Sequence, residues 1–362
     1  MTHGRPRTLL PHALAVLYAL AIVFASLQPF SPWIVPEADT PFWPFARWPL
    51  RWTRFDVLAN IVSYAPFGLF IALSPRRATP RARTALAFAA GLVLSFAMET
   101  LQMFVPPRDA NLVDLAANTT GALLGGMAGA SLVRADRLRH RLSAARYRVF
   151  LGGRLGDIGC ALLVLWLVAQ TNPGIPLFAI TFDVDQAASV TAAVPPVADG
   201  AATLIEAAAS ALQLVGVGLF LALLLRDRRY IGGAVFALLG LALLAKGVAA
   251  MLVIKPAVWD TWMKPGVSFG MAAGLLALLV TIFAPRPVQV AACAIALLAS
   301  LLLPVTVADV PAASAPLTLF NWRYGHLLNF NGLTQTVLLV WPVLAALWLF
   351  ALAGRPRWGE PD

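Results

Sequence analysis

The chain has 362 residues, 60% of them hydrophobic and 12% charged, with a formal net charge of +10. Soluble domains carry about 25% charged residues, so these figures exclude a water-soluble globule, a disordered chain and a collagen-like fibre. Cys160 and Cys293, the two cysteines, lie in apolar runs and exclude both a disulfide scaffold and a cysteine-based zinc cluster. The composition is that of a membrane protein.

A helix crossing about 30 Å of hydrocarbon needs about 20 mostly apolar residues. Such stretches run over 9–27, 55–74, 84–105, 112–133, 155–172, 203–225, 230–253, 265–284, 288–304 and 333–353. They lack the alternating polarity of a membrane β-barrel. The sequence therefore predicts an all-α, polytopic transmembrane helical bundle of about ten spans. With the N-terminus placed in the cytoplasm, nineteen Lys and Arg fall inside, among them Arg134–Arg154 and Arg226–Arg229, against seven outside. That bias follows the positive-inside rule and predicts both termini to be cytoplasmic in a bacterial inner membrane. It also assigns the basic charge to topology, so no nucleic-acid partner is expected. No A-x-A site follows the first apolar run, which is expected to stay as a helix. Trp33, Trp43, Trp48 and Trp52 crowd the first outside loop, where indole rings suit the headgroup level.

The basic stretch 134–154, expected to be a cytoplasmic linker, divides a four-helix membrane domain at 1–133 from a six-helix extension at 155–362. The first domain carries most of the intramembrane polar groups, in pairs at helical spacing. Asp56 and Asn60 stand four apart on the second helix, Glu99 and Gln102 three apart on the third, and Asp114 and Asn118 four apart on the fourth. Spacings of three and four share a helix face, and carboxylates avoid lipid by facing inward. Asp56 and Asp114 fall in the first turns of their helices. Glu99 lies about 7–8 Å inside the end of its own, at 1.5 Å per residue. All three are expected at one depth, near the outer leaflet, with Arg108 in the adjoining loop. Gly121, Gly125 and Gly129 form a small-residue stripe suited to close helix contact.

The string Asn60-Ile-Val-Ser-Tyr-Ala-Pro-Phe-Gly68 resembles the N-x(5)-P-F-G signature of the VanZ-like family. So does Glu99-Thr-Leu-Gln102, followed in order by Arg108, Asp114, Asn118 and Gly121. The resemblance covers about 9–133. It implies an association with low-level resistance to teicoplanin, a lipid-tailed glycopeptide, and a grouping with proposed enzymes acting on lipid head groups.

In the functional version of this site, Glu99, Asp114 and Asp56 are the catalytic candidates, and Glu99, the deepest, suits general acid–base work. Arg108 would hold a phosphate or pyrophosphate through its guanidinium fork, while Asn60, Gln102 and Asn118 would orient the head group. The expected ligands are membrane lipids or a polyprenyl-linked glycan, bound or modified as an envelope precursor. Two other functions stay open: a lipid or polysaccharide transporter or flippase, and a non-catalytic factor giving resistance to lipophilic antibiotics. The structural alternative is that the same groups only fix helix register, with Arg108 pairing Asp109 or Asp114. The carboxylates could also hold Mg²⁺ or Mn²⁺, although no ligand spacing requires a metal and no cofactor is legible. In the extension, Lys246 is expected to snorkel toward the surface or to pair with Glu206. Asp183, Asp185, Arg323, His326, Asn329 and Asn331 fall on loops expected to lie outside.

Overall fold

The computed structural model describes residues 8–28, 30–45, 53–75, 78–106, 108, 110–178, 200–260, 262–306 and 324–354. Among them are eleven α-helices and no strand beyond an isolated bridge. Asp109, Asp183, Asp185, Arg323, Trp48 and Trp52 lie outside the described residues, as do the side chains of His326 and Asn329. By internal packing the chain forms two compact units, Met1–Tyr147 and Arg148–Asp362.

The first unit contains α1 (Leu10–Leu27), α2 (Arg54–Leu73), α3 (Pro80–Gln102), α4 (Leu112–Arg134) and most of α5 (Asp136–Val149). The second holds α6 (Gly153–Ala169), α7 (Gly200–Leu224), α8 (Ile231–Val253), α9 (Pro265–Thr281), α10 (Arg286–Thr306) and α11 (Tyr324–Ala353). A helix lies at each of the ten apolar stretches; the eleventh, α5, is the basic segment that the sequence left without secondary structure. Among the described residues, seven helices are long and apolar enough to cross a membrane: α1, α2, α3, α7, α8, α10 and α11. Both α6 and α9 have 17 residues. Residues such as Phe236, 81% exposed, and Phe350, 82% exposed, leave apolar faces that lipid, not water, would cover.

In the first unit, α1 and α4 both pack on the α2–α3 pair. On the α1 side, Ile22 and Leu27 meet Tyr64, Phe67 and Met98 in one core cluster. The α2–α4 contact is set by glycine, because a Cβ on Gly121 would overlap the Ile61 carbonyl and one on Gly125 the Ala65 carbonyl. Gly68 answers from α2, where a Cβ would overlap Ala122. The opposite face of α4 meets α3 in the same manner, with Gly126 set against Ala87. Small residues thus bring three backbones close enough for short polar side chains to reach across.

Two arginines close helix ends in this unit. The last carbonyls of a helix lack intrahelical donors and favour cations. Arg83, buried at 4% exposure, donates from Nη1 to the Ala72 carbonyl at 2.7 Å and from Nε to Ala78 at 3.1 Å. Arg108 does the same for α1, donating to the carbonyls of Gln28 at 2.9 Å and Ala25 at 3.2 Å.

In the second unit, α7 packs against α9 and α10, and α6 against α11. Trp166, Phe178, Phe220, Trp341 and Trp348 form a chain of ring contacts through its core. Lys246 corrects the expectation made for it: it neither snorkels nor pairs with Glu206. It is 1% exposed and donates to the carbonyls of Ile175 at 2.7 Å and Asn172 at 2.8 Å. The non-helical segment 170–178 brings these carbonyls into the interior, a site that hydropathy does not reveal. Glu206 pairs instead with Lys264 at 3.1 Å.

Candidate functional site

Asn111 begins α4 as its N-cap, its side-chain oxygen accepting from the Asp114 N–H at 2.8 Å. The return contact is also present, from Asn111 Nδ2 to Asp114 Oδ2 at 2.8 Å. This local Asn-x-x-Asp geometry holds the Asp114 carboxylate in the first turn, where the positive helix end favours it. Its other oxygen, Oδ1, accepts from Asn60 Nδ2 of α2 at 2.7 Å, a distance that the glycine contact between α2 and α4 makes possible. Glu99 approaches from α3: its Oε2 accepts from the Asn111 backbone N–H at 2.9 Å. Asn111 therefore joins the two carboxylates.

One turn further into the bundle, Asn118 donates from Nδ2 to Ser95 Oγ on α3 at 3.0 Å. Ser95 is one turn before Glu99, and Asn118 is one turn after Asp114. Tyr64, one turn after Asn60, is 4% exposed, with Ser95 within hydrogen-bonding reach of its hydroxyl and Glu99 and Asp114 within electrostatic reach. Asn118 Oδ1 is buried with no hydrogen-bond partner among the described residues. The start of α2, the end of α3 and the start of α4 thus meet at one end of the unit.

Of the seven residues singled out in the sequence, the structure links Asn60, Glu99 and Asp114 through Asn111, and places Asn118 one turn away, bonded to Ser95. Gln102 and Arg108 border these groups and bind α1, Gln102 donating to the Ser26 carbonyl at 3.0 Å. Burial pushes the Arg108 guanidinium below its ordinary pKa, and the nearby Glu99 carboxylate opposes that shift. Asp56 forms a capping box with Thr53: its Oδ2 accepts from the Thr53 N–H at 3.0 Å, and Thr53 Oγ1 accepts from the Asp56 N–H at 3.1 Å. Among the described residues no group of three His, Cys, Asp or Glu side chains could hold a metal ion. Asp56, Glu99 and Asp114 therefore do not form the three-carboxylate cluster that the Mg²⁺ or Mn²⁺ alternative requires.

The VanZ/LLP1 family model matches residues 12–133. This segment, about a third of the chain, is VanZ-like: it resembles that family. Together with the seven apolar helices, the match points to a multi-pass membrane protein. The match includes every residue of the polar network and ends before α5, and the helices of the second unit lie beyond it. No curated protein and no solved structure matches the chain.

Ser95, Asn111 and Tyr64 are parts of the VanZ-like network that the sequence did not single out. Tyr64 lies inside the quoted Asn60–Gly68 string, and Ser95 one turn from Glu99, so both had a spacing signal. Asn111 had a capping signal, Asn followed by Asp three residues later at a helix start.

The Asp56 cap yields a direct prediction. Removing a helix cap costs about 1 kcal/mol, so Thr53→Ala and Asp56→Ala are expected to lower the thermal midpoint of the purified chain by similar, modest amounts. A function lost in Asp56→Ala but kept in Thr53→Ala would show that the carboxylate does more than close the helix.

Proposed function

We propose that the VanZ-like domain binds the head group of a lipid-linked cell-envelope precursor, such as a polyprenyl phosphate or glycolipid, at its polar end. The observation that supports this is the buried, unpartnered Asn118 Oδ1 beside two linked carboxylates. Buried polar groups are almost always paired, and intramembrane carboxylates mark functional sites by default. A head group bearing hydroxyls can donate to Asn118 Oδ1. Glu99 is the group placed to exchange a proton with the bound ligand, Asn60 and Asn118 orient it, and Arg108 supplies the cation at the border. In this proposal the polar end faces the outer leaflet of an inner membrane, with both termini cytoplasmic.

The test is lipid analysis of a deletion strain, complemented at equal membrane abundance by the wild type, Glu99→Gln, Asp114→Asn and Tyr64→Phe. One lipid class is expected to accumulate on deletion, to be cleared by the wild type, and to persist in Glu99→Gln and Asp114→Asn. Full complementation by all three variants would end the assignment.

A further inference from the structure

In the second unit, outside the family match, the chain leaves α6 and runs without helix over 171–178. The middle of this segment is Asn172-Pro173-Gly174-Ile175-Pro176, where the prolines and glycine prevent the helix from continuing. Residues 172–178 are all buried. Non-helical backbone at membrane depth persists only where protein covers it or where it lines a polar chamber. Here the carbonyls of Ile175 and Asn172 receive Lys246 Nζ at 2.7 and 2.8 Å. Lys246 stands about two turns before Val253, the end of α8, a helix capable of spanning a membrane. The Asn172 side chain meets α11, its Nδ2 lying 2.7 Å from both Asn331 Oδ1 and Thr334 Oγ1, while its Oδ1 accepts from the Gly174 N–H at 2.8 Å.

Two glutamines flank these bonded groups along the chain. Gln170, 1% exposed, stands two residues before Asn172, and Gln335, 8% exposed, follows Thr334 and stands one turn after Asn331. The Nε2 of each is buried with no hydrogen-bond partner among the described residues. An orphaned buried amide is costly, and native structures keep few of them. Neither an ammonium nor an amide nitrogen can accept a hydrogen bond, so whatever completes the cluster brings acceptors. Ionisable side chains inside membrane helices mark ligand sites and ion paths. Interrupted helices in spanning bundles supply such sites with freed backbone groups.

We propose that the second unit binds a carboxylate at this cluster, with Lys246 supplying the charge and Gln170 and Gln335 donating to the carboxylate oxygens. A carboxylate carries the one negative charge that a single ammonium balances, and its two oxygens accept from several donors at once. A phosphomonoester would bring a second charge into a buried site, at a desolvation cost that one lysine does not offset. The carboxylate can belong to a fatty acid entering from the bilayer or to a small acid entering from water. The site is independent of the polar network in the VanZ-like domain, since all its residues lie beyond position 133.

The test uses the full chain purified in neutral detergent, with thermal midpoints measured first in the absence of ligand. Gln170→Leu and Gln335→Leu remove the orphaned amides, so each is expected to raise the midpoint or leave it unchanged. An apolar side chain of similar size has no unpaired group to bury. Binding of radiolabelled decanoate and acetate is then measured. Saturable binding of decanoate is expected, at least tenfold weaker in Lys246→Met and at least threefold weaker in each glutamine variant. Arg229→Gln, outside the cluster and with its side chain 67% exposed, is expected to bind as the wild type. Decanol, which has the same chain without the carboxylate, is expected not to compete. If Lys246→Met fails to fold, the two glutamine variants carry the test. Binding of decanoate alone identifies a lipid source, and binding of acetate as well a soluble one; either supports the site. Destabilisation by both leucine substitutions would assign the amides to the fold and overturn the site. So would failure of both carboxylates to bind, affinity unchanged in the cluster variants, or equal competition by decanol.

Discussion

Gly125→Leu is expected to destroy the VanZ-like domain as a folded unit. A Cβ there overlaps the Ala65 carbonyl, and the next closest atom is the Leu69 backbone nitrogen at 2.9 Å. Both belong to the α2 backbone, which cannot rotate away as a side chain does. The helices must separate, and the separation also breaks the 2.7 Å contact from Asn60 to Asp114. Overpacking of this kind costs more than about 3 kcal/mol where no side chain can yield. In size-exclusion chromatography of the tagged full chain, Gly125→Leu is expected to lose its monodisperse peak. Two controls should keep it: Leu124→Ala, at an exposed neighbour, and Gly240→Leu, where a Cβ meets nothing within 4 Å. A wild-type profile for Gly125→Leu would show that α2 and α4 do not touch in this way.

Trp341→Ala is expected to be the most damaging single truncation in the second unit. The indole is fully buried, its ring centroid lies 5.3 Å from Phe220 and 6.5 Å from Trp166, and its Nε1 donates to the Leu162 carbonyl at 2.7 Å. In lipid the transfer part of the loss shrinks, because separated helices remain in an apolar medium. The cavity and the lost dispersion contacts remain, and a loss of about 3 kcal/mol is expected. Trp341→Phe keeps most of the packing and forfeits the hydrogen bond, worth about 1 kcal/mol. Thermal unfolding in detergent is expected to rank the wild type above Trp341→Phe and both well above Trp341→Ala. Equal midpoints for the two variants would assign the effect to the hydrogen bond instead.

The helices were legible because a run of apolar residues is a property of the chain itself. So were the shared faces of Asn60, Glu99, Asp114 and Asn118, since spacing alone sets which residues line up along a helix. The partners of Arg108 were not, because they are backbone carbonyls at the end of α1, and any sequence supplies those. Lys246 was misplaced for the same reason: its acceptors are the carbonyls of Asn172 and Ile175, and no carboxylate marks them. The helix α5 was hidden by its arginines, which dominate its hydropathy although most are good helix formers. The cluster around Lys246 needed the contact between Asn172 and Asn331, a pairing across 159 positions that no local pattern reports.

Helix α4 has 23 residues, yet it is absent from the helices apolar enough to cross a membrane by themselves. Asp114, Asn118 and its glycines, which build the contacts with α2 and α3, lower its hydropathy, as do Thr119 and Thr120. A segment of this kind partitions poorly into bilayer as a lone helix emerging from the translocon. If α4 spans the bilayer as the sequence reading expects, its entry depends on earlier segments that are already in place to receive it. Lesions in α2 or α3 should then appear during biogenesis, as a nascent chain whose fourth segment stalls outside the membrane.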